Sequence, residues 1–201
     1  MKLYYCETLN PRKVCALARY LNSPVEFVHV DLRSGAHRKP DFLAINPNGK
    51  VPVLQDGDLV LWESNAIMCH LAKQAKSDLW PEDERQIEVM RWLYWDANHF
   101  SRYGGALYFE NLVKPALGMG APDEIAVKRA TDFFHIFAGI LDAHLKGRDF
   151  LVGDRLSLAD FATAVSLPYA GGAKLPLEPY AEIRRWHAGL EKLPAWQKPF
   201  G

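Results

Sequence analysis

Residues 46–61 read NPNGKVPVLQDGDLVL, and this stretch decides how the first part of the chain folds. Pro52 lies between two valines, at what reads as the start of a strand. Because proline cannot donate to a sheet ladder, it belongs at an edge, a bulge or the first residue of a strand. Asp56-Gly57, flanked by residues 53–55 (VLQ) and 59–61 (LVL), is a strong hairpin signal. The stretch therefore predicts two antiparallel strands entered through a proline kink.

The residues that precede this stretch predict a strand, a helix and a second strand. Residues 2–6 (KLYYC) are a short aromatic strand, and Asn10-Pro11 is typical of a helix start, with Asn as N-cap and Pro as the first helical residue. Residues 25–32 (VEFVHVDL) are rich in β-branched and apolar residues and predict the second strand. Because the two strands flank a helix, we expect them to be parallel.

The residues that follow complete one small α/β domain and begin an all-helical one. Ser64 can cap a helix, which closes a domain at residues 1–75. Residues 76–82 read as a linker, and residues 83–201 are predicted to be helical. The predicted helices of this second domain are residues 84–113, with a break or kink at Gly104-Gly105 and Pro115, and residues 123–145, 157–167 and 179–193. The segment LSLADF at residues 156–161 resembles a capping box, with Ser157 as N-cap and Asp160 three residues later.

The composition excludes several classes of function. Lys plus Arg and Asp plus Glu number 24 each, so the chain has no net charge that favours nucleic acid or an anionic membrane as a partner. No apolar run approaches the roughly 18 residues of a membrane helix, and the start does not read as a signal peptide. Three cysteines indicate a reducing compartment, and we expect the cytoplasm. No C-x-x-C, H-E-x-x-H, P-loop or G-x-G-x-x-G motif occurs, and no metal is expected.

Several motifs together resemble the soluble glutathione transferase superfamily. The most specific is N-P-x-G-x-V-P-x-L at residues 46–54, followed by E-S-x-A-I at residues 63–67. Residues 35–43 (GAHRKPDFL) are similar to a segment of the plant phi class, and residues 96–100 (DANHF) loosely match another. The class is phi-like, theta-like or bacterial. The resemblance implies a thioredoxin-like N-terminal domain followed by a helical C-terminal bundle.

The resemblance implies a glutathione site around the proline kink. In the family the peptide bond before the proline is cis, here between Val51 and Pro52. The backbone N–H and C=O of Val51 would then pair with the extended tripeptide like an added strand. Ser64, at a predicted helix N-terminus, would hold the γ-glutamyl carboxylate, and Glu63 would hold the neighbouring ammonium. Ser64 could equally be only an N-cap.

Three basic residues complete the implied glutathione site. His37 and Arg38 would face the glycyl carboxylate, and Lys50 matches a position that contacts glutathione in the family. Arg38 and Lys50 could also be ordinary solvated surface charges.

Several residues are candidates for activating the thiol, because residues 6–11 (CETLNP) depart from the family patterns. Family members place Tyr, Ser or Cys in the loop after the first strand. Thr8 keeps a hydroxyl and is the first candidate. Asn10 could donate through its amide, although an N-cap role would compete for that side chain. Cys6 is interpreted as a small buried residue at the end of the strand.

The resemblance implies a homodimeric detoxification enzyme with glutathione as co-substrate. It would stabilise the glutathione thiolate, which would attack a small hydrophobic electrophile or reduce a peroxide at a cleft between the domains. Asn98, His99 and Tyr103 are candidate electrophile contacts. Two alternatives stay open. One is a glutathione-binding or scaffold protein with little catalysis, and the other is a specialised glutathione-dependent lyase, isomerase or dehalogenase.

Overall fold

The computed structural model describes residues 1–200 and contains two compact units. The first comprises Met1–Trp80 and the chain from residue 193 onward, and the second comprises Pro81–Lys192. The final segment differs from the predicted division, which grouped it with the helices. The Arg12 guanidinium donates to the carbonyl of Trp196 at 2.7 Å and lies 5.3 Å from the centre of its ring. This buried contact holds the final segment against the first unit.

Four strands form the sheet of the first unit: β1 (Lys2–Tyr5), β2 (Glu26–His29), β3 (Val53–Asp56) and β4 (Leu59–Trp62). Their order is β2-β1-β3-β4. β1 pairs in parallel with β2 and antiparallel with β3, which pairs antiparallel with β4. The predicted β-α-β unit and the predicted hairpin are both confirmed.

Helices of the first unit pack around an apolar core. They are α1 (Leu9–Tyr20), α2 (Pro40–Ile45), α3 (Ser64–Gln74) and α11 (Pro194–Gln197), and a short 3-10 turn covers Ala36–Arg38. Fully buried core side chains come from the strands and from the apolar faces of α1 and α3: Leu3, Val14, Leu17, Leu54, Ile67 and Leu71. This core fixes where the N-termini of α1 and α3 lie.

The first helix begins earlier than the sequence predicted. Thr8, rather than Asn10, is the N-cap, and Leu9 rather than Pro11 is the first helical residue. Thr8 has extended backbone, with φ −128° and ψ 171°, and its carbonyl accepts from the N–H of Arg12 at 3.0 Å. The first four N–H groups of a helix have no partner within it, so proline is tolerated beyond the first position of that turn.

The second unit is helical, and its described residues contain no strand. Nowhere in residues 1–200 does a helix combine the length and the apolar character needed to cross a membrane. The helices of this unit are α4 (Arg85–Asn98), α5 (Phe100–Tyr108), α6 (Lys114–Ala116), α7 (Glu124–Leu145), α8 (Leu158–Thr163), α9 (Ala170–Ala173) and α10 (Ala181–Leu190).

The long helix predicted at residues 84–113 is interrupted at His99, not at Gly104-Gly105. His99 has φ −127° and ψ −83°, which separates α4 from α5, whereas both glycines lie within α5. A Cβ atom at Gly104 would lie 2.8 Å from the Oγ of Ser166. Gly104 therefore allows a close approach between two segments and does not break the helix.

Pro115 follows a widened helical turn. A π-helical turn covers Phe109–Val113, and α6 with Pro115 continues from it. Proline has no N–H to donate to the carbonyl four residues earlier, and a π turn is one way in which a helix accommodates that loss.

Asp160 is a fully buried carboxylate that ties together three parts of the helical unit. Its Oδ1 accepts from the backbone N–H of Leu151 and the indole N–H of Trp186, both at 2.9 Å. Its Oδ2 accepts from the backbone N–H and the hydroxyl of Ser157, also at 2.9 Å. The predicted capping box at the start of α8 is confirmed.

We expect Asp160→Asn to lower the free energy of unfolding by about 3 kcal/mol. The new side-chain amide would turn its own N–H groups toward buried N–H and O–H donors, and those donors would lack an acceptor. Urea unfolding followed by tryptophan fluorescence measures the change. Asp154→Asn is the control, since the Asp154 carboxylate pairs with Arg155 at 3.1 Å at the surface. That control should change stability by less than about 0.5 kcal/mol, and equal effects would contradict the role of Asp160.

Candidate functional site

Two cavities in the first unit share the loop before Pro52. The larger has a volume of about 620 Å³, and the smaller about 150 Å³. Asn48, Lys50 and Val51 line both. The larger cavity is also lined by Thr8, Leu32, His37, Arg38, Leu43 and Gly49. The smaller is also lined by Asn10, Asn46, Pro52, Trp62, Glu63 and Ser64.

Val51 offers a pair of main-chain groups at the junction of the cavities. The Val51-Pro52 peptide bond is cis, as the sequence resemblance implied. The ladder between β1 and β3 begins beyond it, at Val53. Within residues 1–200, the backbone N–H and C=O of Val51 make no hydrogen bond. A peptide ligand could therefore pair with both groups, as an added strand pairs with a sheet edge.

Asn46 holds the loop that carries Val51. Its side chain is 2 % exposed, and its amide donates to the carbonyl of Lys50 at 2.8 Å. Its Oδ1 accepts from the backbone N–H of Asn48 at 3.0 Å and from the Asn48 amide at 2.9 Å. The sequence reasoning gave Asn46 no role. The signal was present, since Asn commonly bonds to backbone two residues later in turns.

Thr8 lies where the N-terminus of α1 meets the larger cavity. Its side chain makes no capping hydrogen bond to the helix. The hydroxyl can therefore donate to a ligand in the cavity that Thr8 lines. The unpaired N–H groups and the dipole of α1 favour negative charge near this position.

Asn10 lines the smaller cavity. The hydroxyl of Ser64 donates to its Oδ1 at 3.5 Å, a long hydrogen bond. Since Thr8 holds the N-cap position, the expected competition from capping does not apply to the Asn10 side chain. The structure thus separates the two candidate catalytic residues, with Thr8 at the larger cavity and Asn10 beside Ser64 at the smaller.

Glu63 is held in an unfavourable backbone conformation at the start of α3. Its φ is 73° and its ψ 111°, in a region that L residues rarely adopt. Such conformations cost about 1–3 kcal/mol and cluster at functional sites. Glu63 occupies the N-cap position, and Ser64, which the sequence suggested as the cap, is the first helical residue. Ser64 is 8 % exposed and lies at the positive end of the helix dipole.

Three basic side chains line the larger cavity: His37, Arg38 and Lys50. The Nδ1 atom of His37 is buried and has no hydrogen-bond partner within residues 1–200. Arg38 and Lys50 bring positive charge to the larger cavity, so this cavity favours an anionic ligand group.

Comparison with known proteins identifies the family. Family models match for the glutathione S-transferase N-terminal domain at residues 1–73 and for the C-terminal domain at residues 107–194. Glutathione S-transferase 3 of Zea mays is 37 % identical over 180 residues, which cover 86 % of this chain and 80 % of that protein. The chain belongs to the glutathione S-transferase family. The family and the fold class expected from the sequence are thereby confirmed.

Two solved structures extend the likeness of this glutathione transferase to nearly its whole length. One is glutathione S-transferase-I bound with lactoylglutathione, with a TM-score of 0.88 and 30 % identity, covering 98 % of this chain and 97 % of that one. The other is a glutathione transferase family member from Pseudomonas fluorescens with two glutathione bound. It has a TM-score of 0.89 and 26 % identity, with coverages of 98 % and 91 %.

The candidate electrophile contacts lie in the helical unit of the transferase. His99 stacks on Phe137 with ring centres 4.5 Å apart. Tyr103 stacks on Phe133 at 4.7 Å and on Phe137 at 5.6 Å. Asn98 is exposed, and its amide donates to the carbonyl of Tyr94 at 2.8 Å. The first two residues belong to a stack of parallel rings, whereas Asn98 does not.

None of the three cysteines of the transferase has the lowered pKa of a strongly nucleophilic thiol. Burial raises the pKa of Cys15 to about 12 and that of Cys69 to about 11. Burial and the neighbouring Glu7 carboxylate raise the pKa of Cys6 as well. Cys6 is half-buried, not buried as the sequence suggested, because β1 ends at Tyr5 and leaves it beyond the sheet. A reactive thiolate at this site would have to come from the ligand.

We expect Glu63→Gly to be more stable than Glu63→Ala by about 1 kcal/mol, because glycine adopts φ near +70° without a steric cost. Both substitutions remove the same carboxylate, so the difference between them reports the backbone alone. Urea unfolding of the two variants measures it. A Glu63→Ala variant as stable as Glu63→Gly would show that the backbone at this position carries no strain.

Proposed function

We propose that this glutathione transferase binds glutathione as an extended tripeptide along the loop before Pro52. The observation that carries the proposal is Val51, which lines both cavities and whose main-chain N–H and C=O make no hydrogen bond within residues 1–200. The cysteinyl residue of glutathione would pair with both groups. The two similar structures, one bound with lactoylglutathione and the other with two glutathione, support the choice of tripeptide.

The charged and polar groups at the two cavities support one orientation of the tripeptide. The γ-glutamyl carboxylate would accept from the hydroxyl and backbone N–H of Ser64, at the positive end of α3. Glu63 would pair with the adjacent ammonium. At the other end, the glycyl carboxylate would lie near His37, Arg38 and Lys50, which line the larger cavity.

We assign Thr8 as the residue that activates the thiol. A free thiol titrates near pH 8.5, so only a few per cent is thiolate at neutral pH. A pKa about two pH units lower requires roughly 2.7 kcal/mol of preferential stabilisation of the thiolate. A donated hydroxyl hydrogen bond from Thr8 and the dipole of α1 can together supply much of that energy. Asn10, beside Ser64, would serve the glutamyl end of the ligand instead.

The activated thiolate would attack an electrophilic carbon, or the oxygen of a peroxide, and displace the leaving group. Asn98, His99 and Tyr103 of the helical unit are the proposed contacts for this second substrate. The apolar ring faces of His99 and Tyr103 suit a small hydrophobic electrophile, and the exposed Asn98 amide could orient a polar substituent.

We propose a homodimer with a detoxifying role in the cytoplasm. Exposed apolar side chains on β4 and α4 support the dimer, since a monomer would leave them in water: Leu59, Val60, Trp62, Ile87 and Tyr94. The three cysteines form no disulfide within the described residues, which fits a reducing compartment.

We expect Thr8→Val to lower kcat by about 10- to 100-fold with little change in the Kd for glutathione, because the isostere removes only a charge-assisted hydrogen bond to sulfur. Thr8→Ser should restore activity. The pH dependence of thiolate absorbance in the complex measures the cause, and the thiol pKa should be low in the wild type and higher in Thr8→Val.

Two outcomes would overturn this assignment. A fully active Thr8→Val variant would remove Thr8 from catalysis. A wild-type complex whose thiol keeps its solution pKa would leave a glutathione-binding protein without transferase activity, which is the remaining alternative for this fold.

We expect Ser64→Ala to have the opposite profile. Loss of the hydroxyl should raise the Kd for glutathione by about tenfold, close to 1.4 kcal/mol, while kcat at saturating glutathione changes little. Isothermal titration with glutathione and steady-state kinetics measure the two effects. Ser34→Ala, at an exposed position outside both cavities, is the control and should bind as the wild type does. Unchanged binding in Ser64→Ala would exclude Ser64 from the ligand site.

A further inference from the structure

A group of three potential metal ligands lies apart from the two cavities. The Sγ of Cys6, a carboxylate oxygen of Glu7 and a ring nitrogen of His29 lie within 4.8 Å of one another. The Nε2 of His29 is 3.0 Å from the Oε2 of Glu7, and the Sγ of Cys6 is 3.6 Å from the same oxygen. None of the three residues lines either cavity.

The sheet, rather than a single loop, brings these residues together. β1 and β2 are parallel, with Tyr5 in register with His29, so both strands end at the same edge. Cys6 and Glu7 follow β1 directly, and His29 is the last residue of β2. The ring of Tyr5 meets the imidazole of His29 edge-on, with centres 5.6 Å apart and planes at 79°. This contact restricts the orientation of the imidazole.

Thiolate, imidazole and carboxylate form a donor set that suits zinc and similar divalent metals. Zinc binds sulfur at about 2.3 Å and nitrogen or oxygen at about 2.0–2.2 Å, so tetrahedral ligands lie about 3.3–3.8 Å apart. The 3.6 Å separation between Cys6 and Glu7 lies within that range, and the 3.0 Å separation between His29 and Glu7 is shorter, so metal binding would move these two side chains slightly apart. Magnesium and calcium prefer oxygen ligands and do not suit this set.

We propose that Cys6, Glu7 and His29 form a site for a zinc-class divalent cation, with its fourth position open to water or a small ligand. Binding replaces the thiol proton of Cys6, which passes to the buffer. Glu7 supplies a carboxylate oxygen, whose negative charge favours the cation. The side chains of His29 and Glu7 are 46 % and 53 % exposed, so the site is open to solvent. This proposal is independent of glutathione binding.

Cobalt titration tests the site directly. Co²⁺ is added to the purified, reduced, tag-free protein without glutathione, and absorbance from charge transfer between thiolate and cobalt is followed. Zn²⁺ is then added to displace the cobalt. We expect a saturable signal that Zn²⁺ abolishes in the wild type and in Cys69→Ser, the matched control with the other half-buried cysteine. The signal should be absent in Cys6→Ser, and His29→Ala should bind Co²⁺ about tenfold more weakly or worse.

The variants are checked for folding by their urea unfolding midpoints. No saturable signal in the wild type, or a signal that Cys6→Ser retains, would overturn the site. Loss of the signal in Cys69→Ser but not in Cys6→Ser would place the metal elsewhere and overturn it as well. Unchanged cobalt affinity in His29→Ala would exclude the three-ligand arrangement.

Discussion

The candidate glutathione site depends on one pair of main-chain groups that the sheet leaves unpaired. Val51 stands just before β3, and the ladder with β1 begins only at Val53. The buried Asn46 side chain fixes this loop through hydrogen bonds to Lys50 and Asn48. Because a main-chain N–H and C=O recognise any extended peptide backbone, selectivity must come from the groups around them.

In the proposed binding mode, two helix N-termini would supply much of that selectivity. α1 begins beside the larger cavity and α3 beside the smaller, and each brings unpaired N–H groups and a positive dipole end. A ligand with a thiolate near one helix and a carboxylate near the other would satisfy both. Glu63 bears the backbone strain needed to begin α3 at this position. In the proposed binding mode, Thr8 would activate the thiol and Ser64 would anchor the glutamyl carboxylate.

Sequence reasoning went wrong where the local signal had two readings. Asn10-Pro11 is a good helix start, yet Thr8 is also a residue type that caps helices, and the structure starts α1 after Thr8. Gly104-Gly105 can break a helix or allow close packing, and the nearness of Ser166 decides for packing at Gly104. The sequence grouped the final segment with the helical domain, whereas the structure ties it to the first unit through the hydrogen bond from Arg12 to the carbonyl of Trp196. The decisions at Gly104 and at the final segment each rest on a partner distant in sequence.

The sequence by itself determined that an α/β domain is followed by a helical one. It also determined the parallel and antiparallel strand pairs, the capping box and the motif around Pro52. These follow from local periodicity, turn residues and short motifs, which act over a few residues. Only the tertiary structure decided which cavity Thr8 and Asn10 each line, and that Cys6 and Glu7 meet His29. Glu7 and His29 are 22 residues apart and become neighbours because β1 and β2 pair in parallel. Side-chain constellations of this kind depend on strand register and helix packing, which local sequence patterns do not specify.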